Sequence, residues 1–139
     1  MTLTIDDARR ILAGQPFNSL VGGRITVFRE GKATLQIPIR DELRQQFGLV
    51  HGGVLAYAAD NVLTFAAGSV LGPNVLTAGF TITYLRPAAG KTLRAEAEVI
   101  SATRRQALCH CEIYSDDDGR EPILVAAAQG TTKLLEKAA

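Results

Sequence analysis

Two cysteines, two histidines, one methionine and no tryptophan occur in these 139 residues. The cysteines, Cys109 and Cys111, are one residue apart. On a strand they point to the same face, too close in sequence for an ordinary disulfide, so no disulfide framework can be built from them. A metal site would need more ligands at workable spacing, and His110 points to the opposite face. Excess charge is also missing: fifteen Lys and Arg stand against fourteen Asp and Glu, a net of +1. A general nucleic-acid binder would carry a basic surplus. The N-terminal residues show no basic-then-apolar leader, because Asp6 and Asp7 interrupt the pattern at once. Nor is there a Gly-x-Ser-x-Gly elbow, a phosphate-binding loop of the Walker type or a Gly-x-Gly-x-x-Gly turn opening a helix. Composition predicts a cytosolic globular chain, residues 1–139 forming one domain, with 47% hydrophobic and 21% charged residues.

One long apolar run is present. From Gly53 to Leu71 the chain reads GVLAYAADNVLTFAAGSVL, and Asp60 is its only charge. The run is nearly long enough to span a bilayer, but the central Asp60, Asn61, Thr64 and the glycines favour a buried helix of about Gly52–Leu71, ended by Gly72-Pro73. A carboxylate left unpaired in a packed interior costs several kcal/mol, so Asp60 either faces a cleft or is neutralised by a partner. In the first case it is a candidate catalytic base or nucleophile. In the second it only accepts from Thr64 and Tyr57, its neighbours on the helix face.

The remaining elements follow from period and punctuation. Thr4 and Asp7 form a capping-box pattern for a helix over about Ile5–Ala13, stopped by Gly14 and Pro16. Leu20 to Phe28 and Lys32 to Ile39 read as a hairpin. A polar loop over Asp41–Val50 follows. After the long helix, four strands are expected over Leu76–Arg86, Lys91–Thr103, Gln106–Ser115 and Ile123–Lys133, arranged as a meander. The class is α+β, with an antiparallel sheet curled around one helix.

His51-Gly52-Gly53 lies where loop becomes helix. Amides of a first helical turn lack internal partners and suit an anion or a developing oxyanion, and glycine lets a carbonyl approach. Asp60 lies eight residues after Gly52, about 12 Å along the axis, too far for both to serve one reacting carbon in one subunit. If both act on it, one comes from a neighbouring chain.

The segments QQFGLVHGGVLAYAAD (Gln45 to Asp60) and TAGFTITYLRP (Thr77 to Pro87) resemble the hotdog-fold acyl-CoA thioesterases, in the branch with phenylacetate-pathway and 4-hydroxybenzoyl-CoA thioesterases. The likeness covers nearly the whole chain. It implies a hotdog fold paired into homodimers and usually homotetramers, acting on acyl-CoA or aryl-CoA without metal or bound cofactor. Carried over by position, Asp60 is the catalytic carboxylate, as base or nucleophile. Gly52 supplies the N–H that polarises the thioester carbonyl, and His51 shapes the turn. Gln45 lies near the thioester. Thr64 and Thr77 are alternative positions for a hydroxyl that orients the water or the carboxylate. For the CoA phosphates, Arg104 and Arg105 are the first candidates, with Lys91 and Arg86 behind them. Two other readings stand beside this one: a non-catalytic acyl-CoA-binding module, and an acyl-thioester hydratase or dehydratase, whose usual histidine motifs are missing.

Overall fold

The computed structural model describes residues 2–135. Helix α1 (Ile5–Ala13) opens with the expected capping box, Thr4 and Asp7 satisfying each other's backbone amides. A second helix, α2 (Pro16–Val21), was not expected. Pro16 is its first-turn residue, where a missing N–H costs nothing, so the residue that ends one helix starts the next. The first strand consequently begins at Arg24 rather than Leu20. Strands β1 (Arg24–Arg29) and β2 (Lys32–Pro38) form the predicted hairpin, and a single 3-10 turn spans Asp41–Leu43. Helix α3 (Gly52–Leu71) has the bounds read from sequence. It is followed by β3 (Val75–Tyr84), β4 (Thr92–Ala102), β5 (Gln106–Asp116) and β6 (Ile123–Leu134).

All six strands join one antiparallel sheet in the order β1-β2-β4-β5-β6-β3. The expected four-stranded meander is thus corrected: β3 does not pair with β4 but lies at the far edge, against β6. Strand β4 instead joins the N-terminal hairpin through β2. The sheet wraps α3, which touches every strand, and this is the hotdog arrangement. Small residues make the close wrap possible. Ala58, Ala59, Ala66 and Ala67 of the helix are buried, as are Ala95, Ala97, Ala107, Cys109, Cys111 and Ala128 on the strands. Among the described residues, the one helix long and apolar enough to cross a membrane is therefore the core helix of the sheet. Both cysteines are free, and burial pushes their thiols up to about 11 for Cys109 and about 12 for Cys111.

A bulge in β3 decides what this strand presents to the helix. Thr77 pairs with Thr132 and Gly79 with Thr131, leaving Ala78 as the extra residue. Before the bulge the half-buried positions are Val75 and Thr77; after it they are Phe80 and Ile82. The inward parity switches, so hydroxyl-bearing Thr77 and apolar Phe80 both face inward. Strands β3 and β6 approach closely just beyond: a Cβ on Gly130 would lie 2.5 Å from Phe80 Cβ and 2.6 Å from Gly79 O. Only glycine fits there.

Candidate active site

Helix α3 buries Leu55, Ala58, Ala59, Val62 and Leu63, while Ala56, Tyr57, Asp60 and Thr64 form a half-buried stripe. That stripe lies beside β3. Thr77 Oγ1 donates to Asp60 Oδ1 at 2.5 Å, and Thr64 Oγ1 lies 2.7 Å from Thr77 Oγ1. Thr64 also donates to Asp60 O at 2.9 Å, the usual back-bond of a helical threonine. Thr64 therefore meets the main chain of Asp60 and not its carboxylate, and Thr77 is the hydroxyl on the carboxylate. With its proton on Asp60, Thr77 can only accept from Thr64, whose single hydroxyl hydrogen lies between Thr77 Oγ1 and Asp60 O and serves one of them at a time. Asp60 is only half-buried, and among the described residues no cation pairs with it.

The N-terminus of α3 builds a second group. His51 is the N-cap; its Nδ1 accepts from Gly53 N–H at 2.8 Å, which places the ring proton on Nε2. Val54 N–H donates to His51 O at 2.9 Å. Gly52 N–H is left without an acceptor among the described residues, at the positive end of a twenty-residue helix. Tyr84, at the end of β3, donates to Gly52 O at 2.8 Å, and its ring would sit 3.3 Å from a Cβ at position 52. Gln45 Oε1 accepts from Phe47 N–H at 2.6 Å, fixing the preceding loop and leaving its own amide hydrogens for other partners. Gln45, Gly52, Tyr84 and Arg86 line one open cleft of about 370 Å³.

Tyr84 was not singled out as a site residue in the sequence; the Tyr84-Leu85-Arg86-Pro87 segment was its only signal. The structure thus brings Asp60, Thr64 and Thr77 together, and Gln45, His51 and Gly52 together. The two groups occupy successive stretches of one helix. Arg86 donates to Leu124 O at 2.8 Å, tying the end of β3 to β6. Arg104 and Arg105 occupy the β4–β5 turn, at the end of the sheet where Gln106 pairs with Lys133 and Val75 with Leu134. Gly52 lies at the other end, beside Tyr84. Among the described residues no cluster of His, Cys, Asp and Glu could hold a metal ion.

A polar chain supports the stripe from below. Asn18 is oriented by Gly23, whose N–H donates to Oδ1 at 3.1 Å and whose carbonyl accepts from Nδ2 at 3.0 Å. Tyr57 Oη donates to Asn18 Oδ1 at 2.7 Å and accepts from Asn61 Nδ2 at 2.8 Å. Burial, with a smaller contribution from the negative Asp60, pushes the Tyr57 phenol up to about 12, so it stays a donor.

A sequence model of the Thioesterase superfamily matches residues 47–121, which span α3 and strands β3, β4 and β5. The chain belongs to the thioesterase superfamily. Among solved structures it is similar to a thioesterase family protein from Silicibacter pomeroyi, with a TM-score of 0.88 and 29% identity over 95% of this chain and 98% of that one. The E. coli PaaI protein from the phenylacetic acid degradation operon shares the fold, with a TM-score of 0.84 and 24% identity over 94% and 92% of the two chains. A 1,4-dihydroxy-2-naphthoyl-CoA hydrolase of Listeria monocytogenes is 29% identical over 62 residues, 45% of this chain. The match spans half the length of that curated relative.

Proposed function

We propose that this superfamily member hydrolyses acyl-CoA or aryl-CoA thioesters to the free acid and CoA, in a site shared by two copies of the chain. Gly52 N–H of one copy polarises the thioester carbonyl, and Asp60 of the other acts as general base or as nucleophile. As a base, Asp60 takes a proton from water while the oxygen bonds to the carbonyl carbon. The tetrahedral oxyanion rests on Gly52 N–H; its collapse breaks the C–S bond and the CoA thiolate takes up the proton. As a nucleophile, the Asp60 carboxylate adds to the carbonyl carbon and expels the CoA thiolate, breaking the C–S bond; water then cleaves the mixed anhydride, restoring the carboxylate and releasing the acid, whose proton the thiolate takes up. An oxyanion donor contributes about 2.7–4 kcal/mol in such reactions.

The observation that carries the reading is the pairing of an unspent helix-start amide with a carboxylate held by Thr77, eight residues apart on one helix face. One chain cannot bring both to one carbon, but β3 offers a way to add another. It is an edge strand of ten uncharged residues, flanking the half-exposed Asp60 stripe. Antiparallel pairing of two β3 strands extends the sheet and reverses the second copy. Tyr84 of one copy then lies toward the Val75 end of the other, the end that also carries Arg104 and Arg105. On this reading Arg104 and Arg105 of the partner subunit lie on the side of the shared site where the CoA phosphates would be received. Asp60→Asn and Asp60→Ala should each lower thioester turnover at least about a hundredfold with an unchanged circular-dichroism spectrum. Near-normal turnover in either variant rejects the role of Asp60.

A further inference from the structure

Two glycines open α3, and a first turn built on glycine has little of its own to hold it in one conformation. Here the peptide group between them is tied at both ends. Tyr84 Oη donates to Gly52 O at 2.8 Å, and Gly53 N–H donates to His51 Nδ1 at 2.8 Å. The preceding peptide group is held through its carbonyl, since His51 O accepts from Val54 N–H at 2.9 Å. Each peptide group is a rigid plane, so fixing these two also fixes the direction of the unspent Gly52 N–H between them. The His51 bonds are local to the turn, whereas Tyr84 ties it to the sheet from 32 positions away. That residue is itself well anchored: it pairs with Ala126 of β6, and Leu85 N–H donates to Val125 O at 2.8 Å. Its ring also fills the space a side chain at position 52 would need, with Cζ and Oη both 3.3 Å from a Cβ built there. Glycine at 52 therefore admits Tyr84 on one side as well as a carbonyl on the other.

We propose that Tyr84 is a positioning residue for the reaction: by holding Gly52 O it locks the first peptide group of α3 and aims the Gly52 amide at the oxyanion. The inference rests on the thioesterase reading above and adds a residue to it. As the thioester carbon turns tetrahedral, negative charge gathers on its oxygen, and a donor already aimed there needs no reorganisation at that moment. A loosened turn still meets the planar carbonyl of the bound substrate but loses its aim as the charge develops. The Tyr84 hydroxyl therefore acts on kcat and leaves KM in place. A direct contact between Tyr84 and the substrate, by contrast, would register in KM.

The test is a double-mutant cycle, run on whichever of benzoyl-CoA and hexanoyl-CoA the unaltered protein hydrolyses faster. Tyr84→Phe keeps the ring and should lower kcat about tenfold, with KM within about twofold. Gly52→Pro removes the amide hydrogen itself and should cost about a hundredfold or more. His51, at φ −60° and ψ 134°, already has the extended backbone that precedes proline, and a first helical turn accepts proline. In the Gly52→Pro background Tyr84→Phe should cost less than about twofold, because the group through which it acts is gone. A tenfold loss in both backgrounds, or a raised KM at unchanged kcat, overturns the role. Amide exchange followed by NMR needs neither turnover nor the proline variant. In Tyr84→Phe the Gly53 amide should exchange about tenfold faster, while Gly68, further along the same helix, keeps its rate. Unchanged exchange at Gly53 overturns the clamp, even if neither thioester is hydrolysed. A fully active Gly52→Pro sinks the oxyanion donor of the thioesterase reading, whereas a fully active Tyr84→Phe beside an inactive Gly52→Pro sinks only the role of Tyr84.

Discussion

The two edges of the sheet are treated in opposite ways. At one, β1 is only six residues long, begins and ends with Arg24 and Arg29, and carries a bulge at Thr26. Helix α1 packs over it, and Arg9 Nε donates to Ile25 O at 3.1 Å, occupying an edge carbonyl. At the other, β3 is ten residues long, has no charge, and exposes Leu76 and Tyr84 at its ends. Both edges carry a bulge, so the difference lies in the rest: short, charged and covered edges resist further pairing, while long uncharged ones invite it. The candidate carboxylate hangs from the inviting edge through Thr77. The difference makes β3 the edge on which the proposed second chain would pair, and the same strand orients Asp60.

The sharpest way to break this comparison is to blunt β3. Thr81→Lys puts a charge on its exposed face, and in an antiparallel pair the two lysines repel. We expect the mass in solution to fall to that of one chain and turnover to drop about a hundredfold, because each half-site loses its complement. The same charge on β1, Val27→Lys, should change neither mass nor turnover. Sedimentation and a thioester assay on both variants decide it; a fully active single-chain Thr81→Lys would sink the shared site. Next in size is the seat of β3 on β6. Gly130→Ala must push apart backbone at 2.6 Å and should cost about 1–3 kcal/mol in chemical denaturation. An unchanged midpoint would show that the close approach has slack.

Thr77→Val removes the hydroxyl from Asp60 and should lower kcat about tenfold, whereas Thr64→Val, one bond further away, should lower it less. Equal losses would place Thr64 on the carboxylate in the reacting complex. The smallest effect is expected between the edges, in the middle of the molecule. Cys109, Cys111 and Tyr57 keep their protons in the fold to about 11, about 12 and about 12, but release them near 9 and 10 when unfolded. The unfolded chain loses protons first, so stability is complete below about pH 9 and declines as pH rises toward about 12. Melts across that range check the sign; a rise in stability would contradict it. At pH 8 both thiols should be inert to alkylation until the chain unfolds.

Much of the site was legible because it is local in sequence. Gly52, the His51 turn and Asp60 all belong to one apolar helix whose bounds follow from a glycine-rich start and a Gly-Pro stop. What was misread involved relations between distant segments or a residue with two uses. Pro16 reads as a helix stop, yet it also opens α2. The meander failed because alternation within a strand says nothing about which strand lies beside it. Choosing between Thr64 and Thr77 required the Ala78 bulge, which leaves no clear mark in residue type. The tie from Gln15 to Asn61 spans 46 positions and had no sequence signal at all.

By itself, then, the chain of residues determined helices α1 and α3, most of its strand segments and the lone acid among apolar neighbours. Caps, turns and periodicity act over a few residues, and a charge in an apolar run is conspicuous wherever it folds. Tertiary structure alone decided that β3 takes the open edge, that Thr77 reaches Asp60, and that Gln15 bonds Asn61. Those outcomes depend on how separate elements share one core, because packing and strand pairing are settled between surfaces that are remote in sequence.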